Sequence, residues 1–180
     1  MHKKLLLLLI IPMLMIMTAC SKPNEGEIQE KIITKTIELR DPKLGFTTTF
    51  KYDAEEKYSE VEEHEDGKAT SIIFHNEQLE VEFEMRYEIM TVAKYNELEM
   101  INAKTSNYKE YTFGDYEAYA YGEEVEKDNL CVLLGIDDTT VEVLLVTINS
   151  TNPYEKITVS TLLEKESIKN LFSSMEFVKE

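Results

Sequence analysis

The chain has 180 residues, with 19 Lys and Arg against 35 Asp and Glu, a formal net charge of −16 at pH 7, and no tryptophan. Such acidity argues against nucleic-acid binding, because phosphate contacts need clustered Lys and Arg, and it opposes docking on anionic lipid headgroups. The length suits one domain whose core needs no disulfide staples.

The first predicted element is an address. His2, Lys3 and Lys4 make a positive head, Leu5–Met17 is apolar apart from Pro12, and Met17-Thr18-Ala19-Cys20 comes next. A positive head, a short apolar run and small residues before a cut describe an export signal. The run is shorter than the roughly 17–25 residues of a spanning helix. The segment resembles the lipobox of bacterial lipoproteins, with Thr18 and Ala19 at the small positions and Met17 where Leu is usual. The resemblance implies cleavage between Ala19 and Cys20 and a diacylglyceryl thioether on Cys20. It also implies a cell-membrane anchor on the extracytoplasmic face, since two acyl chains hold stably where one does not. Residues 1–19 are then a lipoprotein signal peptide, 20–30 a lipid-anchored flexible linker spanning about 18 Å of coil, and 31–180 a single domain. A lipidated Cys20 leaves Cys131 without a disulfide partner. Within Cys131-Val132-Leu133-Leu134 that residue is expected to be a buried, inert thiol.

Strand signals dominate the rest of the chain. Gly45–Tyr52 alternates Phe46, Thr48, Phe50 and Tyr52. Tyr58–Glu65 and Ala69–His75 flank Asp66-Gly67, a two-residue hairpin signal; that turn would pair Glu65 with Lys68 and Tyr58 with His75. In Leu79–Ile89 every odd position is apolar and every even position charged, the pattern of a half-buried antiparallel strand. Thr91 can cap a helix over Val92–Ala103, with Val92, Tyr95, Leu98 and Ile101 on one face. Tyr111–Phe113 and Tyr116–Tyr121 flank the Gly114-Asp115 turn. Leu130–Ile136 and Val141–Ile148 carry unbroken apolar runs, which predicts a central place in the sheet. Asn152-Pro153 breaks the chain. Ile168, Leu171, Phe172 and Met175 then mark a helix, continued by Phe177, beginning either at a Thr161/Glu164 capping box or near Lys165. The order predicts an α+β fold, a largely antiparallel sheet packed with helices.

Three stretches carry a family likeness: Gly45–Tyr52 as an aromatic-bearing opening strand, Tyr111–Tyr121 as a hairpin with a glycine turn, and Leu171–Phe177 as a closing helix. Over residues 40–178 the domain resembles PsbP-like domains, relatives of which include a photosystem extrinsic subunit and DcrB-type envelope proteins. The resemblance implies an α/β/α sandwich and docking or accessory roles, and it transfers no functional residues. The wet face of Leu79–Ile89 departs from a fully covered sheet. It calls for either an edge position or a partly open face.

No catalytic spacing is present. His64 and His75 would lie about 20 Å apart along the predicted ladder, too far to share a metal. There is no metalloprotease, zinc-ribbon or EF-hand pattern, no nucleophile elbow and no phosphate-cradling glycine loop. The expectation is a non-enzymatic protein-binding or accessory lipoprotein without cofactor or metal. Its candidate surface is Tyr111, Tyr116, Tyr119 and Tyr121 together with the acidic row Glu80, Glu82, Glu84 and Glu88. The competing reading for those tyrosines is packing beneath a helix with hydroxyls at the rim. The alternative function is binding of a small molecule or divalent cation.

Overall fold

The computed structural model describes residues 33–59, 61–65, 70–122, 128–152 and 158–180, with the backbone alone at 64, 65 and 128. The export segment, Cys20, the linker and the Asp66-Gly67 turn therefore lie outside the described residues. Ten strands and three helices are described: β1 (Thr34–Asp41), β2 (Phe46–Asp53), β3 (Glu62–Glu65), β4 (Thr70–Asn76), β5 (Val81–Thr91), α1 (Val92–Asn102), β6 (Lys109–Phe113), β7 (Tyr116–Tyr121), β8 (Asp128–Ile136), β9 (Thr140–Ser150), α2 (Val159–Leu162), α3 (Glu166–Ser173) and β10 (Glu176–Lys179).

The strands form a seven-stranded sheet, β3-β4-β5-β9-β8-β7-β6, and a three-stranded sheet, β1-β2-β10, antiparallel at every pairing. The fold is thus α+β and dominated by sheet. β9 is the middle strand and β8 its neighbour, as their apolar runs predict: Val141, Val143, Leu144 and Val146 are fully buried, and both faces of the strand are represented among them.

One face of the large sheet is dry. Phe74, Phe83, Met85, Leu130, Val132, Leu144 and Val146 are all sealed from solvent. β1 crosses over β4 and β5, α2 lies against β7 and β8, and α3 lies against β2 and β6. Phe74 and Phe83 stack at 5.0 Å between ring centres, and Phe46 meets Tyr87 edge-on at 5.4 Å. Each such ring stabilises the fold by roughly 1.5–3 kcal/mol relative to exposure. The buried Tyr87 hydroxyl donates to Thr48 Oγ1 at 2.7 Å and lies 3.1 Å from the Leu39 carbonyl oxygen, which ties the two sheets together.

Turn chemistry fixes the registers. Gly114 has φ 59° and Asp115 does not adopt positive φ, a two-residue turn with glycine first that sets Phe113 opposite Tyr116. Gly45 (φ 69°) ends the β1–β2 turn, where the buried Asp41 carboxylate accepts from the Lys43 and Leu44 amides at 2.9 and 3.1 Å.

Several expectations are corrected. The β3–β4 hairpin pairs Glu65 with Thr70, not Lys68, so four residues rather than two separate the strands. Tyr58 bridges Asn76, not His75. β5 begins at Val81; Leu79 and Glu80 belong to the preceding turn, where Glu80 takes φ 52°. At its far end Ile89 is 46% exposed, so the predicted apolar row is not covered along its whole length. Of the two predicted starts for the last helix, the one near Lys165 holds, without a side-chain cap, but α3 stops at Ser173 and leaves Met175 beyond it. A separate short helix precedes it, with a capping box between Thr158 and Thr161 rather than Thr161 and Glu164. Phe177 is not helical: it sits in β10, paired with Thr48. β1 is a strand that no sequence pattern announces.

Candidate functional site

The second face of the large sheet is assembled by period-two alternation on the same strands. Cross-strand partners place Glu82 beside Asn149, Glu84 beside Thr147, Arg86 beside Leu145 and Glu88 beside Val143. Across β8, Cys131 is paired with Leu145 and Asn129 with Thr147. β7 then adds Tyr119 opposite Cys131 and Tyr121 opposite Asn129. Partners across an antiparallel ladder share a face, so the acidic row and two of the tyrosines lie on one surface. Glu82, Glu84, Arg86, Glu88, Leu145, Thr147 and Tyr121 are all half-buried there. β5 is third in the strand order, so the wet face reflects an open sheet surface and not an edge strand.

The predicted surface splits. Tyr119, Tyr121, Glu82, Glu84 and Glu88 occupy the open face. Tyr111 and Tyr116 do not: Tyr111 pairs with Ala118 and stacks on Phe113 at 5.9 Å, on the core side. Tyr116 points the same way, and its hydroxyl oxygen accepts from the Phe177 amide at 3.1 Å. Strand parity explains both tyrosines. Positions 116, 118 and 120 face opposite to 119 and 121, and Tyr111 shares the side of its partner Ala118. Glu80 leaves the row for another reason: it lies in the turn, where its carboxylate accepts from Asn152 Nδ2 at 2.7 Å.

Tyr119 itself is only 6% exposed. It lies beneath α1 and the segment after it, with ring centres 6.4 Å from Tyr95, 5.7 Å from Tyr108 and 5.5 Å from Tyr121. The helix that covers it is lightly seated. Thr91 Oγ1 accepts from the Lys94 amide at 3.2 Å and starts α1, yet no residue of the helix is fully buried, and Ile101 is 50% exposed. Helix packing thus claims Tyr119 and leaves Tyr121 at the boundary.

Burial controls the ionisation of this region. Cys131 is a free, buried thiol, pushed up to about 11 by desolvation, which a hydrogen bond from Tyr119 opposes. Desolvation also raises Tyr95, Tyr108 and Tyr119, and pushes Tyr121 up to about 12. The phenols are therefore neutral at physiological pH, and the negative charge of this face comes from carboxylates.

Sequence reasoning misses a concavity at the rim of this face. α1, β6 and β7 enclose a cleft of about 380 Å³ walled by Tyr95, Tyr108 and Tyr119 and edged by Glu99, Glu110 and Glu117. The signal is present in pieces. Tyr95 and Glu99 are four apart on a helix, hence neighbours on its surface, and Glu110 is the cross-strand partner of Tyr119.

His75 Nε2 stands 3.7 Å from Glu82 Oε2 on the open face. His64 pairs with Ser71, four residues from His75 and so about 13 Å along the ladder. Among the described residues, no three His, Cys, Asp or Glu side chains gather as metal ligands would, and no helix is long and apolar enough to cross a membrane.

No family model matches the chain, and neither a curated protein nor a solved structure is detectably similar to it.

Proposed function

We propose that the protein is a lipoprotein cleaved after Ala19, anchored through Cys20 on the extracytoplasmic face of the cell membrane, and built as a non-enzymatic docking or accessory module of PsbP-like type. The anchor rests on the signal-like segment and its resemblance to a lipobox. The fold assignment is supported by helices on both sides of one antiparallel sheet, α1 on one and α2 with α3 on the other; the added three-stranded sheet departs from a simple sandwich.

The observation that carries the docking reading is the open face of the large sheet. A sheet normally buries at least one face and leaves the other polar. Here the uncovered side mixes Glu82, Glu84 and Glu88 with Tyr121 and Leu145, the aromatic and charged composition that suits a contact surface better than plain solvation. A photo-crosslinking residue at Glu84, in cells, is expected to trap a partner that the same residue at Lys169 on α3 does not. Equal trapping from both positions, or none from Glu84, would remove the reading. Cys20→Ser is expected to abolish lipid labelling and release the protein; persistent membrane retention would instead mean that residues 1–19 stay as an anchor.

A small-molecule reading stands second, favoured by the cleft beside α1. Its volume falls at the lower end of the roughly 300–1,000 Å³ typical of ligand sites.

A further inference from the structure

We propose that the cleft between α1 and the β6–β7 hairpin is a binding site for a small organic cation, an alkylammonium group seated against tyrosine faces and held by carboxylates. The inference rests on the reading of the domain as a binding module, and it names the ligand chemistry.

Four observations converge. First, the site is concave, about 380 Å³, where a solvated acidic surface would be convex or flat. Second, its walls are aromatic. Tyr95, Tyr108 and Tyr119 approach one another from a helix, a connecting segment and a strand, with ring centres 5.7 and 6.4 Å from Tyr119. These spacings are ring-to-ring contacts with Tyr119 only 6% exposed, so the ring surface left for a ligand is that of the half-buried Tyr95 and Tyr108, and an electron-rich ring face attracts ammonium groups. Third, the charged groups at the mouth are of one sign. Glu99, Glu110 and Glu117 edge the cleft, no lysine or arginine lines it, and none of the three carboxylates has an ion-pair partner among the described residues. The cation on the hairpin, Lys109, sits 5.3 Å from the centre of the Tyr111 ring, itself at the edge of the cleft, and pairs with Glu164 at 3.9 Å. Fourth, one carboxylate is already oriented: the Tyr108 hydroxyl donates to Glu110 Oε1 at 3.2 Å. That bond turns the phenolic proton to the carboxylate, while the ring packs against Tyr119 at 5.7 Å.

The chemistry selects among ligands. A metal ion wants three or more converging oxygen or nitrogen donors at short range, and these carboxylates do not gather that closely. An anion would meet three negative charges. A neutral apolar solute would satisfy the rings and leave the carboxylates unanswered. An alkylammonium satisfies both: its methyl or methylene groups lie on the rings while its charge faces the carboxylates.

The test uses the full chain in a non-ionic detergent, with tyrosine rings isotopically labelled and observed by NMR. The probes are choline, its neutral carbon isostere 3,3-dimethylbutan-1-ol, and magnesium chloride. Choline is expected to shift a small set of ring resonances saturably in the millimolar range, and the neutral isostere is not. Replacing Glu110 and Glu117 together by Gln should weaken choline roughly tenfold, and Tyr108→Leu roughly fivefold. Glu110 and Glu117 are exposed, so these variants should keep the wild-type unfolding midpoint, which is checked alongside. Equal shifts from the neutral isostere would overturn the proposal, as would equal shifts from magnesium, which would indicate charge screening alone. Absence of any saturable shift would overturn it too. If choline fails while crosslinking from Glu84 persists, the ligand assignment falls and the docking reading stands; loss of both removes both.

Discussion

On one side of the large sheet, Phe74, Phe83, Leu130 and Leu144 are fully sealed. One residue along the same strands, His75, Glu84, Asn129 and Leu145 are only half-covered. The two faces share backbone, register and hydrogen bonds, so the difference between them comes from the layer laid on top. A three-stranded sheet and two helices close the first; a single lightly packed helix touches the second. Stability resides on one face and recognition is proposed for the other, and each can be altered without the other.

The largest contrast should come from truncation. Phe83→Ala is expected to destabilise the domain by about 3–5 kcal/mol, because a buried ring leaves a cavity its neighbours cannot refill. Urea unfolding measures it, and a loss near 1 kcal/mol would show that the dry face is less tightly packed than its burial suggests. Tyr87→Phe keeps the ring but removes the hydroxyl held between Thr48 and the Leu39 carbonyl, and should cost about 1–3 kcal/mol. Replacing Glu84 by Gln should move the same midpoint by less than about 0.5 kcal/mol, so an effect as large as Tyr87→Phe would erase the distinction between the faces.

Between these lies a pH effect at the junction of the open face and α1. Burial raises the folded Cys131 from 9.0 to about 11, so the folded state keeps its proton where the unfolded chain has lost it. This contribution to stability is therefore present in full below pH 9 and is lost as pH rises from there through about 11. The slope is about 1.4 kcal/mol per pH unit for one such group, with Tyr121 adding to the decline at its upper end. Cys131→Ala should flatten the alkaline fall in the unfolding midpoint between pH 9 and 10; an unchanged slope would assign it to other groups.

The same division decides how legible each face is in the sequence. β5 is read directly because its alternation is uninterrupted, and β8 and β9 because their apolar runs demand two covered faces. β1 escapes because only Ile37, Leu39 and Asp41 are buried in an otherwise polar stretch. β10 escapes because Glu176–Lys179 is a strand only by virtue of β2 lying beside it. Tyr119 and Tyr121 share one face, as their spacing predicts. Proximity in sequence groups Tyr111 and Tyr116 with them, although parity along β7 already sets Tyr116 apart. The cleft is out of reach, since it depends on where α1 comes to rest, and no local pattern encodes that.

The small sheet has an order-of-assembly consequence. β2 is flanked by a strand that precedes it and by one far downstream, joined to it where Lys51 meets Glu176 across 125 positions. Lys179 of that late strand also reaches the nearly buried Glu142 of β9. The lid over the dry face is therefore completed only when residues 176–179 become available. A polypeptide threaded out of a narrow exit with its amino end leading would hold Phe46 and Phe50 incompletely covered until then. Closure over the dry face would then come late.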